Sequence, residues 1–194
     1  MSKPLSPKGL KNLVAALLKE ETDIEKGIPE YETVFPLVGA IDLTITPGGG
    51  EPDPQYADDG EYDVITPDGN YTIAIETAGM HMADRAKILG HEVDKDGTLM
   101  IRAGDKAPYL AIGFLAETSQ HKFNGVWILK ARATPITETF HTKEGETITR
   151  QTSKISFTAI ARTADGMKQY SKENADTSFL EKPYVHTPKE ETTP

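Results

Sequence analysis

The sequence predicts a mainly β protein with one flanking helix, and three observations carry that expectation. The runs Tyr109–Ala116 (YLAIGFLA) and Val126–Ala133 (VWILKARA) are apolar and of strand length, with a turn sequence at His121–Gly125 between them. A third strand runs from Ile148 to Arg162 and stops at Asp165-Gly166. Between the second and third lies a polar excursion, 135–146, that is long for a loop in a compact domain and suits a protein that builds something with its neighbours.

The remaining elements follow in chain order. Leu10, Leu13, Val14, Leu17 and Leu18 fit helical spacing, although Leu10, Val14, Ala16 and Leu18 also share one face of a strand. Ile41, Leu43 and Ile45 alternate with Asp42, Thr44 and Thr46, the pattern of a half-buried strand. Three prolines and four glycines in 47–60 predict an irregular loop. Strands at Glu61–Thr66 and Tyr71–Thr77 flank the turn Pro67-Asp68-Gly69-Asn70, and Tyr71, Ile73 and Ile75 share a face. Met82, Ala83, Ala86 and Leu89 lie on one face of a helix, with Gly90 placed for a left-handed C-cap. A short strand, Thr98–Arg102, follows Lys95-Asp96-Gly97. The domain expectation is a β domain over 1–170, with long loops 47–60 and 135–146, and an extended, polar tail over 171–194.

Composition bounds the class. The 194 residues suffice for one domain with a core; 37% are hydrophobic and 26% charged. No apolar run approaches a membrane span, and Met1–Lys8 lacks the pattern of a signal peptide, so no membrane association is expected. The absence of cysteine excludes disulfides, thiolate metal sites and thiol nucleophiles, and fits assembly in a reducing cytoplasm. The net charge of −9 is uneven: residues 1–119 carry −11 and residues 120–170 carry +4. An acidic balance disfavours tight binding to nucleic-acid backbone. The asymmetry reads either as solvated surfaces of two signs or as regions that meet between copies of the chain.

The search for chemistry predicts no catalytic residue, no metal site and no cofactor. Glu92, Asp94, Asp96 and Gly97 imitate the start of a calcium loop, but Ala103 stands where the bidentate glutamate belongs, so a polar turn accounts for them. Asp58, Asp59, Glu61 and Asp63 are carboxylates that could gather a cation, with no geometry implied. His81, His91, His121, His141 and His186 read as polar surface residues. No nucleophile elbow, Walker loop or dinucleotide fingerprint occurs. Tyr109 and Trp127 suggest either a sugar platform or, as aromatics within apolar strands, core.

The order of these features resembles the major tail proteins, or tail tube proteins, of long-tailed phages and prophages of Gram-positive bacteria. The matching residues are Leu37–Ile45, the patch Tyr56–Gly60, the helix ending at Leu89-Gly90-His91, and the strand Ala107–Phe114. The Trp127 strand, the step Thr134-Pro135 and the strand Ile155–Ile160 complete the set, which spans roughly residues 8 to 166. The family pattern makes 10–20 a strand, against its helical spacing, and that reading is adopted here.

The resemblance implies a two-sheet β-sandwich or barrel of the phage tail tube type, with a flanking helix. It implies a non-enzymatic structural protein of the virion tail, assembled in the host cytoplasm as hexameric rings that stack into a channel for DNA ejection. Partners implied are other copies of itself, the tape measure, tail terminator and distal tail proteins, and double-stranded DNA that passes without specific binding. Inter-subunit contacts are expected at Glu51, Asp53, Tyr56, Asp58, Asp59, Glu61, Phe140, Lys143, Arg150 and Lys154, where acidic and basic loops would pair. The channel wall is expected to be neutral or negative, with Lys130, Arg132, Arg150, Lys154 and Arg162 turned elsewhere or paired. Two alternatives come from other classes: a β-sandwich decoration or adhesion module binding a surface ligand through 47–60, and an enzyme using the carboxylates near Asp58.

Overall fold

A computed structural model of the chain describes residues 7–20, 29–57, 60–65, 67–136 and 152–183. In order these form β1 (Pro7–Glu20), β2 (Glu30–Tyr31), β3 (Phe35–Pro36), β4 (Ala40–Pro47), β5 (Asp53–Ala57), β6 (Gly60–Ile65), β7 (Tyr71–Thr77) and α1 (Met82–Leu89). There follow β8 (Glu92–Val93), β9 (Leu99–Met100), β10 (Tyr109–Thr118), β11 (Phe123–Ala133), β12 (Ser153–Ala159), β13 (Gln169–Lys172) and a 3-10 turn at Thr177–Leu180. The protein is mainly β with one α-helix among the described residues, and no described helix is long and apolar enough to cross a membrane.

Hydrogen bonds join nine strands in one sheet of order β2-β1-β10-β11-β12-β7-β4, with β3 added on β1 and β13 on β11. All of its pairings are antiparallel. The sheet curls until β4, at one end of the path, comes beside β1 near the other. The curl encloses the main core. Ile73, Ile75, Ile155 and Phe157 from one half meet Leu13, Ala15, Leu110, Ile112 and Ile128 from the other, and Ile88 and Leu89 of α1 close it. A second cluster lies on the opposite face of β10 and β11, where Ala111, Leu115, Trp127 and Leu129 pack under Ala175 and Leu180. Trp127 is therefore core and not a ligand platform.

Three of the register shifts in this sheet bear on its faces. In β1 the register shifts between Lys11 and Val14, where Asn12 takes φ 52°. The extra residue puts Leu10 on the main core together with Leu13, Ala15 and Leu17, a three-residue step within a period of two. That step produces the helical spacing, and the chain there is strand. In β4 the register shifts between Ala40 and Asp42, so Ile41 is 54% exposed while Leu43 and Ile45 pack on the core. The expected common face for Ile41, Leu43 and Ile45 is thus corrected by a bulge. The third falls in β11, opposite Leu110–Ile112. On one side of it Gly125–Ile128 pair with β13, and on the other Ala131–Ala133 pair with β12.

The helix ends as expected. Gly90 takes φ 72°, and a Cβ there would lie 2.2 Å from the Lys106 carbonyl oxygen, so only glycine fits. Gly113 lets β10 approach Trp127, since a Cβ there would sit 2.7 Å from the indole ring.

The expectation of an extended tail from residue 171 is corrected as far as Pro183. β13 pairs with Gly125–Ile128, the Ala175 N–H donates to the Phe123 carbonyl (2.8 Å), and Trp127 Nε1 donates to the Phe179 carbonyl (2.9 Å). Tyr170 and Phe179 stack at 5.7 Å. A few apolar residues in a polar segment suffice because Trp127 presents them a large surface to cover. Residues 184–194 lie outside the described residues.

Arg162 pins this corner. Its guanidinium is fully buried and binds both oxygens of Asp165, while Nη1 donates to the Tyr31 hydroxyl (3.2 Å), which in turn donates to the Leu129 carbonyl (2.7 Å). Burial alone would lower its pKa, but the bonds to Asp165 and Tyr31 raise it above its usual value, so the charge is held and partnered.

Candidate assembly surface

The segment 47–60 was expected to be irregular, and the structure corrects this: its second half is strand β5. Gly48 anchors the segment to the turn before β7, donating to the Asn70 carbonyl (2.8 Å) and accepting from Gly69 N–H (3.1 Å). The chain then rises into a hairpin in which β5 and β6 pair as Asp53↔Ile65, Gln55↔Asp63 and Tyr56↔Glu61, with a register shift between Gln55 and Tyr56. Pro52 and Pro54 are tolerated because both strands of a two-stranded hairpin are edges.

Among the described elements, the hairpin's extensive contacts are between its own two strands. Tyr62 is 77% exposed and Val64 43%. Two paired strands with no apolar surface beneath them are marginally stable in water. Uncovered strand edges are also templates for pairing with another chain.

The expected contact residues divide into three groups. Glu51 and Asp53 are exposed at the base of the hairpin, and Tyr56 and Glu61 sit opposite one another within it. Lys154 lies elsewhere, on β12, where its ammonium pairs with Glu76 (3.3 Å) within the same chain. The Thr152 hydroxyl also donates to Glu76 (2.6 Å), and this bond, with that from Lys154, holds the Glu76 carboxyl below its ordinary range. Asp58, Asp59, Phe140, Lys143 and Arg150 lie outside the described residues, as does most of 135–146. Other cations named from the sequence are also engaged or stacked. Lys130 is nearly buried, with Nζ 3.3 Å from the Thr163 hydroxyl, and the exposed Arg132 stacks on the Tyr109 ring at 3.9 Å.

Among the described residues the outward face of β4, β7 and β12 is exposed or half-buried. Registered rows cross it: Thr46–Thr72–Thr158, then Thr44–Ala74–Ser156, then Asp42–Glu76–Lys154. The corresponding inward rows are Ile45–Ile73–Phe157 and Leu43–Ile75–Ile155. One face is hydrocarbon core; the other carries small hydroxyls and a trio of charges, two acids and one base.

A feature that sequence reasoning missed is a surface groove of about 490 Å³ between β1, the Thr33–Pro36 segment and the 3-10 turn. Leu13, Val14, Val34, Pro36 and Leu180 line it. A second depression of about 420 Å³ shares Thr33 and Val34 with it and adds Phe35, Lys19, Lys87 and Glu32. Its residues come from three separated stretches, so no local pattern could have disclosed it.

Among the described residues no three His, Asp or Glu side chains gather as a metal site. The Asp94–Gly97 stretch is the turn of the β8–β9 hairpin, with the Asp94 N–H donating to the Thr98 carbonyl (2.9 Å). His91 bonds Asp105 (2.8 Å) and His121 bonds Glu117 (2.9 Å). No protein-family model matches the chain, and no curated protein matches it significantly.

Proposed function

We propose that the chain is a non-enzymatic structural subunit that assembles with copies of itself into rings, and that the rings stack into a DNA-conducting tube of the phage tail type. The observation that carries this reading is the β5–β6 hairpin, which exposes Tyr62 and Val64 and, among the described elements, makes its extensive contacts within itself. Such an element costs solubility and gains little stability unless something covers it, and a neighbouring subunit is the simplest cover.

The outward face of β4, β7 and β12 supports the same reading. Duplex DNA carries about one charge per 1.7 Å, so an uninterrupted row of cations would grip it. This face offers hydroxyls and the trio Asp42, Glu76 and Lys154, over which a polyanion slides. Arg132, exposed at its margin, stacks on the Tyr109 ring that it shares with the nearly buried Lys130.

Analytical ultracentrifugation and negative-stain electron microscopy of the purified full chain, at rising concentration, test the proposal. Six-fold rings or tubes of uniform width are the expected particles. A chain that stays monomeric at every salt and protein concentration, and after addition of preformed tail-tip complexes, would overturn it.

A further inference from the structure

The hairpin and the groove are complementary in two respects, and they occupy different parts of the same chain. The hairpin presents Tyr62 and, two residues on along the strand, Val64, both exposed. The stretch 48–63 around them holds six acids and no base. The groove is apolar along Leu13, Val14, Val34, Pro36 and Leu180, with about 490 Å³ of space. The depression that holds Lys19 and Lys87 shares Thr33 and Val34 with it. Among the described residues neither lysine pairs with a carboxylate, although Glu32 shares the depression and Glu181 sits at the far end of the groove. Lys87 is instead held over the Phe35 ring, 5.1 Å from its centre.

We propose that the β5–β6 hairpin of one copy seats Tyr62 and Val64 in the groove of the next, with the hairpin's carboxylates, Glu51 and Asp53 among them, facing Lys19 and Lys87. The inference rests on the self-assembly reading above and names the two surfaces that would meet. A tyrosine suits the role, since it brings a large rigid surface to a contact at small entropic cost and is a frequent interface anchor. The lysines would add steering and register more than affinity. Because knob and socket are different surfaces, copies can link head to tail, which propagates as a ring or a filament, or exchange hairpins in a two-fold pair; the ring reading takes the first.

The chain contains no cysteine, which makes cross-linking clean. A disulfide forms only where two Cα atoms come within about 4.4–6.8 Å. Val64→Cys, which keeps Tyr62, and Val34→Cys are made as separate variants of the full chain, mixed, oxidised and run without reductant. A linked dimer is expected from the mixture, at least about tenfold above that from Val64→Cys mixed with the exposed control Ile101→Cys. A chain carrying both cysteines should give a ladder of multimers, and adding Lys19→Glu with Lys87→Glu should slow linkage several-fold at low salt. Thr33→Cys, at the same rim and exposed, repeats the measurement if circular dichroism shows Val34→Cys to be perturbed.

Rings or tubes in the microscope with no dimer above control would overturn this contact and leave the assembly reading standing. A two-cysteine chain that links only within itself would overturn it as well, by giving the groove to the chain's own hairpin. No dimer and no assembled particle would overturn both.

Discussion

Strands β10 and β11 are covered on both faces, whereas strands β5 and β6, among the described elements, contact each other far more than anything else. In the first pair, Leu110, Ile112 and Ile128 enter the main core while Ala111, Trp127 and Leu129 are sealed by the C-terminal segment. In the second, the extensive contact among the described elements is between the two strands. Both pairs form antiparallel ladders, so hydrogen bonding is not what distinguishes them; buried apolar surface is. The comparison separates residues that hold the subunit together from residues available to hold subunits to each other. Substitutions in the two regions should accordingly be read by different instruments, denaturation for one and assembly for the other.

The largest effect on folding is expected at Trp127. Trp127→Ala removes the centre of the second core and strands the Phe179 carbonyl, and should cost about 3–5 kcal/mol in urea unfolding. Asp165→Ala should cost a similar amount, about 3–5 kcal/mol, because it leaves the buried Arg162 guanidinium without its carboxylate. In contrast, Tyr62→Ser, on the exposed hairpin, should stay within about 0.5 kcal/mol of the parent while reducing assembly in the ultracentrifuge. Stability lost at Tyr62, or kept at Trp127, would erase the distinction.

A finer prediction concerns pH. Asp105 accepts from the Arg102 N–H and from His91, Glu76 from Thr152 and Lys154, and Glu117 from Lys11 and His121; each carboxyl is held below its ordinary value. The unfolded chain therefore binds more protons than the folded one as pH falls. The stability these groups contribute is present at neutral pH and is lost as pH drops below about 5 through the lowered values. Asp105→Asn should flatten part of that acid slope in thermal melts taken between neutral pH and pH about 3, with little change in the melting temperature above it.

How much of this was legible in the sequence depends on how each part holds its place. β7, β10, β11 and β12 were readable because burying one or both faces imposes a pattern on the residues themselves, as in Ile73–Ile75 and Ile155–Phe157. The helix was readable from Gly90, but of its expected face only Ala86 and Leu89 are buried; Met82 and Ala83 are exposed, and Ile88 is buried in their stead. What failed to show was whatever depends on register. The shift at Asn12 makes Leu10, Leu13 and Leu17 look helical, and the bulge at Ile41 turns an apolar residue outward without altering the alternation in the sequence. β5 was hidden by Pro52, Pro54 and the glycines before it, which veto a central strand but not an isolated one. The β13 segment was hidden by its polarity, since Ala175, Phe179 and Leu180 matter only once Trp127 is known to lie beneath them. Of the expected contact residues, the acids Glu51 and Asp53 stand exposed by the hairpin, and Lys154 is paired at home with Glu76. The groove was beyond reach of sequence, because β1, Thr33–Pro36 and Leu180 become neighbours only in the folded chain.

The central claim is that the hairpin serves assembly and not folding, and one paired measurement tests it. Residues 53–65 are replaced by two glycines, leaving the Gly48–Asn70 anchor intact, and the variant is compared with the full chain by circular dichroism, thermal melting and electron microscopy at equal concentration. The account predicts an unchanged spectrum, a melting temperature within a few degrees, and no rings or tubes under conditions where the full chain forms them. Tubes from the shortened chain, or a shortened chain that no longer folds, would contradict it.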